Sequence, residues 1–311
     1  MHNVSRLAGI FACAASLAAA GCAGSTGSMS PVSQSASASA VLGQVANGQK
    51  VFMPTVQMAQ KSRPQASNAV YGGGPLLYKP KMYLIFWGFK AAGDPDDVAT
   101  LLQSYESSIG GSKYNNIYTQ YKGTKKYIKN PKNQNGSYWF DDTNAIPTSP
   151  TDQQVAEESL AGEAHFGNYD PSGAYVVVTA HNHNSQGFGS SFCAYHSTIN
   201  DSKGNPVSYT NMPYIPDAGG NCGAGFLSNV PAGETTANEG TTIVTGHEYG
   251  ESITDPIPGE GYYDNQWGEI GDICAWTDIQ IDKYGKSQFV AQPMWSNASS
   301  SCVHSYKKPK K

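Results

Sequence analysis

One histidine and two glutamates lie within five consecutive residues of a segment with helical character. Residues 241–253 have the sequence TTIVTGHEYGESI, which contains His247, Glu248 and Glu251. Residues four apart on an α-helix project from the same face, so His247 and Glu251 can approach one cation together. Glu248 directly follows His247, so its side chain projects beside the face that His247 and Glu251 share. The segment therefore predicts a helix that presents an imidazole and two carboxylates to a common point.

This arrangement suits zinc chemistry. A catalytic zinc ion takes three protein ligands and keeps one position open for water, and a neighbouring glutamate accepts the proton of that water. His247 and Glu251 supply two ligands and Glu248 the base. The pattern is that of the zinc peptidase helix HExxH with glutamate in the second ligand position. The motif predicts a zinc-dependent hydrolase that attacks peptide bonds.

The third ligand is expected from the segment that follows the helix. Glu269 lies 18 residues after Glu251, a spacing that resembles the gluzincin branch of zinc peptidases. Asp272 is then placed to hold the His247 ring by a hydrogen bond. Asp255 is the rival third ligand, although it lies closer to His247 than the metzincin pattern requires. Asp272 is a further alternative for this position.

Two other interpretations of these polar residues stay open. A bare HExxE arises by chance in many helices, where a histidine and two glutamates form a solvated polar face. His181 and His183 follow a predicted strand end, where alternate residues point the same way, so they could bind a metal together. We favour their assignment as polar loop residues.

Apolar runs and helical signals surround the HExxE segment. We predict strands at 82–87, 174–180 and 209–215, helices at 94–110 and 152–166, and a hairpin over 279–291. Asp94 is the expected cap of the first helix, and Gly110 its end. This order predicts an α/β domain, with α+β as the alternative. We expect a single zincin-like layered domain with a buried mixed sheet.

Four cysteines lie in the same part of the chain: Cys193, Cys222, Cys274 and Cys302. In an oxidising compartment they allow three pairings. We favour Cys193 with Cys222 and Cys274 with Cys302, because each pair closes a modest loop around a segment that the site needs held in place. A zinc site made of all four cysteines is the competing interpretation, but no CxxC spacing supports it.

The amino terminus indicates export. Arg6 precedes an apolar, alanine-rich run that ends in Ala-Ala-Gly-Cys, as in a signal peptide over residues 1–22. The run resembles a bacterial lipobox, except that Ala19 stands where leucine is preferred. Cys22 is therefore a candidate site for lipid attachment.

Composition divides the rest of the chain and excludes several functions. We predict a flexible Ser/Ala-rich tether at 23–68, a folded domain at 69–306 and a basic tail at 307–311.

All 24 acidic residues lie at or after Asp94, and charged residues make up only 14% of the chain. An acidic body without a basic, aromatic-rich stripe is unsuited to nucleic acid. The sequence contains no phosphate-binding loop, dinucleotide fingerprint or serine-hydrolase elbow.

Several blocks of the chain resemble the phosphate-induced protein 1 or EXORDIUM-like family. In the family's order, they are a Gly-Pro turn and strand at 70–88, a Cys-and-His segment at 192–196, the His-Glu helix and its end at 247–256, an acidic-Cys turn at 269–274, and a closing strand and cysteine at 294–302. The helix ends in Thr-Asp-Pro where the family has Thr-Asn-Pro. The resemblance covers about residues 70–303.

The resemblance implies an extracellular protein whose biochemical activity is not settled in the family. Some plant members lack the full His-Glu-Glu set, whereas this chain keeps it. Two functions follow: an exported zinc metallopeptidase-like hydrolase with a peptide or protein substrate, or a non-catalytic surface protein that binds glycan or a protein partner. We expect a monomer in the periplasm, at the cell surface or outside the cell, attached to a membrane if Cys22 carries lipid.

Overall fold

The computed structural model describes residues 50–59, 67–167, 169–266 and 268–307. The predicted signal peptide, Cys22 and most of the predicted tether lie outside the described residues. None of the helices in these ranges combines the length and the apolar character that crossing a membrane requires.

A six-stranded mixed sheet forms the centre of the domain. From one edge to the other, its strands are β1 (Val51–Pro54), β6 (Phe192–Asn200), β7 (Pro206–Met212), β5 (Gly173–Thr179), β3 (Lys81–Trp87) and β4 (Asn135–Asp141). Strands β7, β5, β3 and β4 are parallel to one another, whereas β6 is antiparallel to both of its neighbours. The predicted α/β class and buried mixed sheet are confirmed.

Smaller sheets lie outside the central one. They pair β2 (Val70–Tyr71) with β8 (Tyr262–Asp264) and β8 with β9 (Gly268–Glu269), β10 (Gln280–Tyr284) with β11 (Ser287–Ala291), and β12 (Met294–Ser296) with β13 (Ser301–Val303). Strands β10 and β11 form the predicted hairpin.

The described helices are α1 (Val56–Ala59), α2 (Phe89–Ala92), α3 (Val98–Ile109), α4 (Asp152–His165) and α5 (Glu239–Thr254), with 3-10 turns at Asn115–Gln120, Ile215–Cys222 and Asp272–Cys274. Helix α4 agrees with its prediction and begins with a capping box between Thr151 and Gln154. Helix α3 begins later than predicted, because Asp97 has a left-handed φ of 53°. The Asp94 carboxylate still caps it by accepting the N–H groups of Val98 and Ala99.

Helices cover both faces of the central sheet. Alternate side chains of β3 divide between two apolar clusters: Leu84 and Phe86 lie in the cluster that contains residues of α3 and α5, and Ile85 and Trp87 in the cluster that contains residues of α4. This alternation is that of a strand buried on both faces. Helix α5 packs against β6 and β7, so the segment with the candidate ligands lies against the sheet.

Two segments differ from their predictions. Residues 51–54, assigned to the tether, form β1, whose Val51 and Met53 are buried against the edge of the sheet. The strand predicted at 209–215 instead ends at Met212, because Pro213 lacks the N–H that would continue the ladder.

Candidate metal centre

Helix α5 carries the HExxE motif and is buried along its whole length. Its two internal glycines permit this burial. A Cβ at Gly246 would lie 2.8 Å from the hydroxyl of Tyr105, and one at Gly250 would lie 2.6 Å from that of Tyr118. The space beside the motif is therefore filled by tyrosines of neighbouring elements. Those contacts hold the helix and its polar residues in a fixed place.

His247 points its Nε2 atom towards two carboxylates. This atom lies 3.1 Å from Oε1 of Glu251 and 3.4 Å from Oδ1 of Asp272. On the other side of the ring, Nδ1 lies 3.1 Å from Nε2 of Gln292, whose amide also donates to the carbonyl of Gly271. Asp272, expected to orient the ring, therefore lies on the side of Glu251. The amide N–H of Gln292 donates to Nδ1, so the neutral ring carries its proton on Nε2, on the side of Glu251 and Asp272. Sequence reasoning did not predict the contact with Gln292.

Glu251 uses its two carboxylate oxygens differently. Oε1 accepts the backbone N–H groups of Gly271 and Asp272 at 3.1 and 2.9 Å. Oε2 has no hydrogen-bond partner among the described residues and lies 3.7 Å from Nδ1 of His196. One oxygen is thus fixed by the loop after β9, and the other is left free for a cation.

His196, on β6, completes the cluster, and sequence reasoning did not identify it as a ligand. Its Nδ1 lies 3.4 Å from Oε2 of Glu248, and its Nε2 lies 3.5 Å from Oε2 of Glu269 and 3.1 Å from the carbonyl of Asp255. The available signal was its place in an apolar strand, two residues after the buried Ala194 and on the same face as it. A histidine at such a position needs polar partners from another element.

Two disulfides lie beside the cluster. Cys193 on β6 is bonded to Cys222, and Cys274 is bonded to Cys302. The favoured pairing is confirmed, and the thiolates of a four-cysteine zinc site are not available. Disulfides are compatible with an exported protein.

The candidate ligands form two overlapping groups. His247, Glu248 and Glu251 can each offer one atom such that all lie within 4.8 Å of one another, and so can His196, Glu251 and Glu269. The ligand set predicted from the sequence, His247 with Glu251 and Glu269, is thus divided between the two groups. Glu251 belongs to both. Imidazole nitrogens and carboxylate oxygens form a donor set that suits zinc.

The cluster is buried and contains an excess of acidic groups. His196, His247, Glu251 and Glu269 are 0% exposed, and Glu248 is 1% exposed. Among the described residues, the ion pairs of these carboxylates are made with the two histidines, and no lysine or arginine takes part. Unpaired charges are strongly disfavoured at such depth, so the acidic groups need protons or a cation.

The pKa shifts of these residues agree with the requirement for protons or a cation. Burial opposes the charge on His247, yet the carboxylates of Glu251 and Asp272 raise its pKa well above the ordinary value. Burial and the charge of Asp272 raise the pKa of Glu251, and burial and the charge of Asp255 raise that of Glu269. The cluster therefore retains protons that a divalent cation would displace.

The other predicted candidates have further partners. The carboxylate of Asp255 accepts the N–H groups of Gly259 and Gly261 at 2.7 and 2.6 Å, so it supports the loop after α5, and it also lies within hydrogen-bonding reach of Glu269. Nδ1 of His181 lies 2.6 Å from Oδ1 of Asp217, whereas Nδ1 of His183 lies 3.0 Å from the carbonyl of Pro147. These two histidines are polar loop residues, as we favoured.

Comparisons with protein families, with curated proteins and with solved structures find no match to this chain.

Proposed function

We propose that this protein is an exported zinc-dependent hydrolase that acts on peptide bonds. The observation that carries the proposal is a buried group of ligand atoms, some of which have no hydrogen-bond partner among the described residues. The unpaired atoms include Oε1 of Glu248 and Oε2 of Glu251. His247, Glu248 and Glu251 can each offer one atom within 4.8 Å of the others. Buried polar atoms are normally paired, so unpaired atoms in a buried group of ligand atoms support a cation-binding site there.

The chain's own residues have distinct parts in this proposal. His247 and Glu251 would hold the ion, and Asp272, whose Oδ1 lies 3.4 Å from Nε2 of His247, is the candidate to complete its ligands. Zinc at such a site lowers the pKa of water and polarises a carbonyl. Glu248 accepts the proton of the attacking water and passes it to the leaving amine. A cation on Nε2 of His247 requires Nδ1 to carry the ring proton, so the Gln292 amide would have to turn its oxygen towards Nδ1 when the ion binds.

The test is the replacement Glu248→Gln, which removes the base and preserves the side-chain shape. We expect this variant to keep zinc, measured by elemental analysis, and to lose hydrolysis of a fluorogenic peptide library by about 100-fold or more. Glu157→Gln, on the exposed face of α4, is the matched control and should retain both properties. A zinc-loaded wild-type protein that cleaves no peptide would contradict the proposal that this protein is a peptide hydrolase.

The burial of the cluster favours a second candidate, a non-catalytic extracellular protein with a structural ion. Structural zinc sites are closed, whereas catalytic sites keep a position open to substrate. His247 and Glu251 are fully buried in the described conformation. In this case the partner would be a glycan or another protein, in agreement with the resemblance to the EXORDIUM-like family.

Hydrolysis and thermal unfolding distinguish the two candidates. If the ion is structural, chelation should lower the unfolding temperature by several degrees. In that case neither the wild-type protein nor Glu248→Gln should cleave peptides. The hydrolase predicts peptide turnover that chelation abolishes and added zinc restores.

A further inference from the structure

We propose that the cluster is a dinuclear metal centre, in which a second divalent cation binds between His196, Glu251 and Glu269 and Glu251 bridges it to the first. This inference deepens the proposed function and rests on it for the first ion. The second site is built from β6, α5 and β9, three elements that are distant in the sequence.

The position of Glu251 is the first argument. Its Oε1 lies 3.1 Å from Nε2 of His247, and its Oε2 lies 3.7 Å from Nδ1 of His196. Each carboxylate oxygen therefore faces a different imidazole. Oε1 also accepts two backbone N–H groups, so a cation at His247 would share this oxygen with them, whereas Oε2 has no hydrogen-bond partner among the described residues. His196 and His247 fall in different ligand groups, and Glu251 is the residue that the two groups share.

The hydrogen bonding of His196 is the second argument. A carbonyl oxygen only accepts hydrogen bonds, so the contact of 3.1 Å between Nε2 of His196 and the carbonyl of Asp255 places a proton on Nε2. In the neutral ring, Nδ1 then presents its lone pair towards Oε2 of Glu248 and Oε2 of Glu251. These three atoms repel one another unless a proton or a metal cation lies among them. A ligand histidine typically donates its other N–H to such a carbonyl.

The surroundings of Glu269 are the third argument. Its side chain is 0% exposed, and its carboxyl group lies within hydrogen-bonding reach of that of Asp255, so these two acidic groups need a proton or a cation between them. One oxygen lies 3.5 Å from Nε2 of His196, and Glu269 can offer an atom within 4.8 Å of ligand atoms of both His196 and Glu251. A first ion at His247 leaves this carboxylate beside the like charge of Asp255. A second ion at His196 and Glu251 would supply a positive charge beside it.

Metal stoichiometry tests the proposal on the full chain with its disulfides formed. After saturation with zinc and removal of the excess, we expect elemental analysis to find about two zinc ions per chain. His196→Ala should retain about one, and His247→Ala should also retain about one. His165→Ala, on the exposed end of α4, is the matched control and should retain both.

X-ray absorption of the zinc-loaded wild-type protein provides a second test that needs no variant. We expect a metal–metal distance of about 3.5–4 Å, as in other two-metal sites. One zinc per chain without this distance, and unchanged in His196→Ala, would overturn the second site and leave the proposed function standing. No bound zinc in the folded wild-type protein would overturn both proposals.

Discussion

Nδ1 of His196, on strand β6, lies 3.7 Å from Oε2 of Glu251, on helix α5. This contact connects the central sheet to the helix that carries the HExxE motif. Both side chains are fully buried, and the ring and the carboxylate meet where β6 packs against α5. An ion that binds here would tie two layers of the fold together, so metal binding and stability should be coupled.

A methyl group at Gly271 should disturb the metal centre. A Cβ there would lie 2.7 Å from Oε1 of Glu251 and 2.9 Å from Nδ1 of His247, closer than real contacts allow. We expect Gly271→Ala to lower zinc affinity by about tenfold or more in a competition titration with a chromogenic chelator. Gly220→Ala is the control, since a Cβ at Gly220 meets no atom within 4 Å. Equal affinities in the two variants would contradict the described packing.

Gln292 should act on the metal through His247. Its amide N–H contacts Nδ1 of the ring at 3.1 Å, and after rotation of the amide its oxygen would accept the Nδ1 proton while a cation binds Nε2. We expect Gln292→Ala to lower zinc affinity by about 10–100-fold, the usual effect of removing such a partner. The same titration on Gln288→Ala, an exposed position on β11, should match the wild-type value. An unchanged zinc affinity in Gln292→Ala would show that Gln292 does not act on the metal through His247.

The sequence was informative about elements with a strong local signal. The two long apolar strands, the HExxE helix and the capped helix α4 could all be predicted, because periodicity and capping residues act locally. His196 could not be identified as part of the site, since only the packing of β6 against α5 brings it to Glu251. Strand β1 was missed because its short apolar run ends a long Ser/Ala-rich segment.

The roles of residues around the motif were harder to predict than the motif itself. Asp272 and Gln292 both lie close to His247, on opposite sides of the ring. Spacing along the chain indicates that a residue can approach, but not from which side. The division of Glu269 and His247 between two groups has the same origin.

Glu158 should make stability depend on pH. Burial and the nearby charge of Asp141 raise its pKa from 4.5 to about 8. Between these values the unfolded chain has released a proton that the folded chain retains, so stability falls as pH rises from about 4.5 to about 8. We expect urea unfolding of Glu158→Gln to show a smaller fall over this range. Glu157→Gln, an exposed neighbour, should keep the wild-type slope, and an unchanged slope in both would contradict the assignment.

The disulfide between Cys274 and Cys302 should stabilise the fold and the site. It closes a loop with a sequence separation of 28 residues and lies close to Asp272. Replacing both cysteines by alanine should lower the free energy of unfolding by about 2–5 kcal/mol in urea titrations. Zinc affinity should fall as well, because the loop that donates to Glu251 becomes freer to move. A double variant with the wild-type free energy of unfolding would show that the disulfide does not stabilise the fold.

The zinc content of the full chain beside that of Glu251→Gln is the most direct test of the metal centre. Glutamine at this position can still accept the backbone N–H groups that reach Oε1, but it lacks the charge that both candidate ligand groups share. We predict bound zinc in the wild-type protein and its loss in Glu251→Gln, with both proteins folded by circular dichroism. Folded, disulfide-bonded wild-type protein that stays metal-free after exposure to zinc would contradict the account.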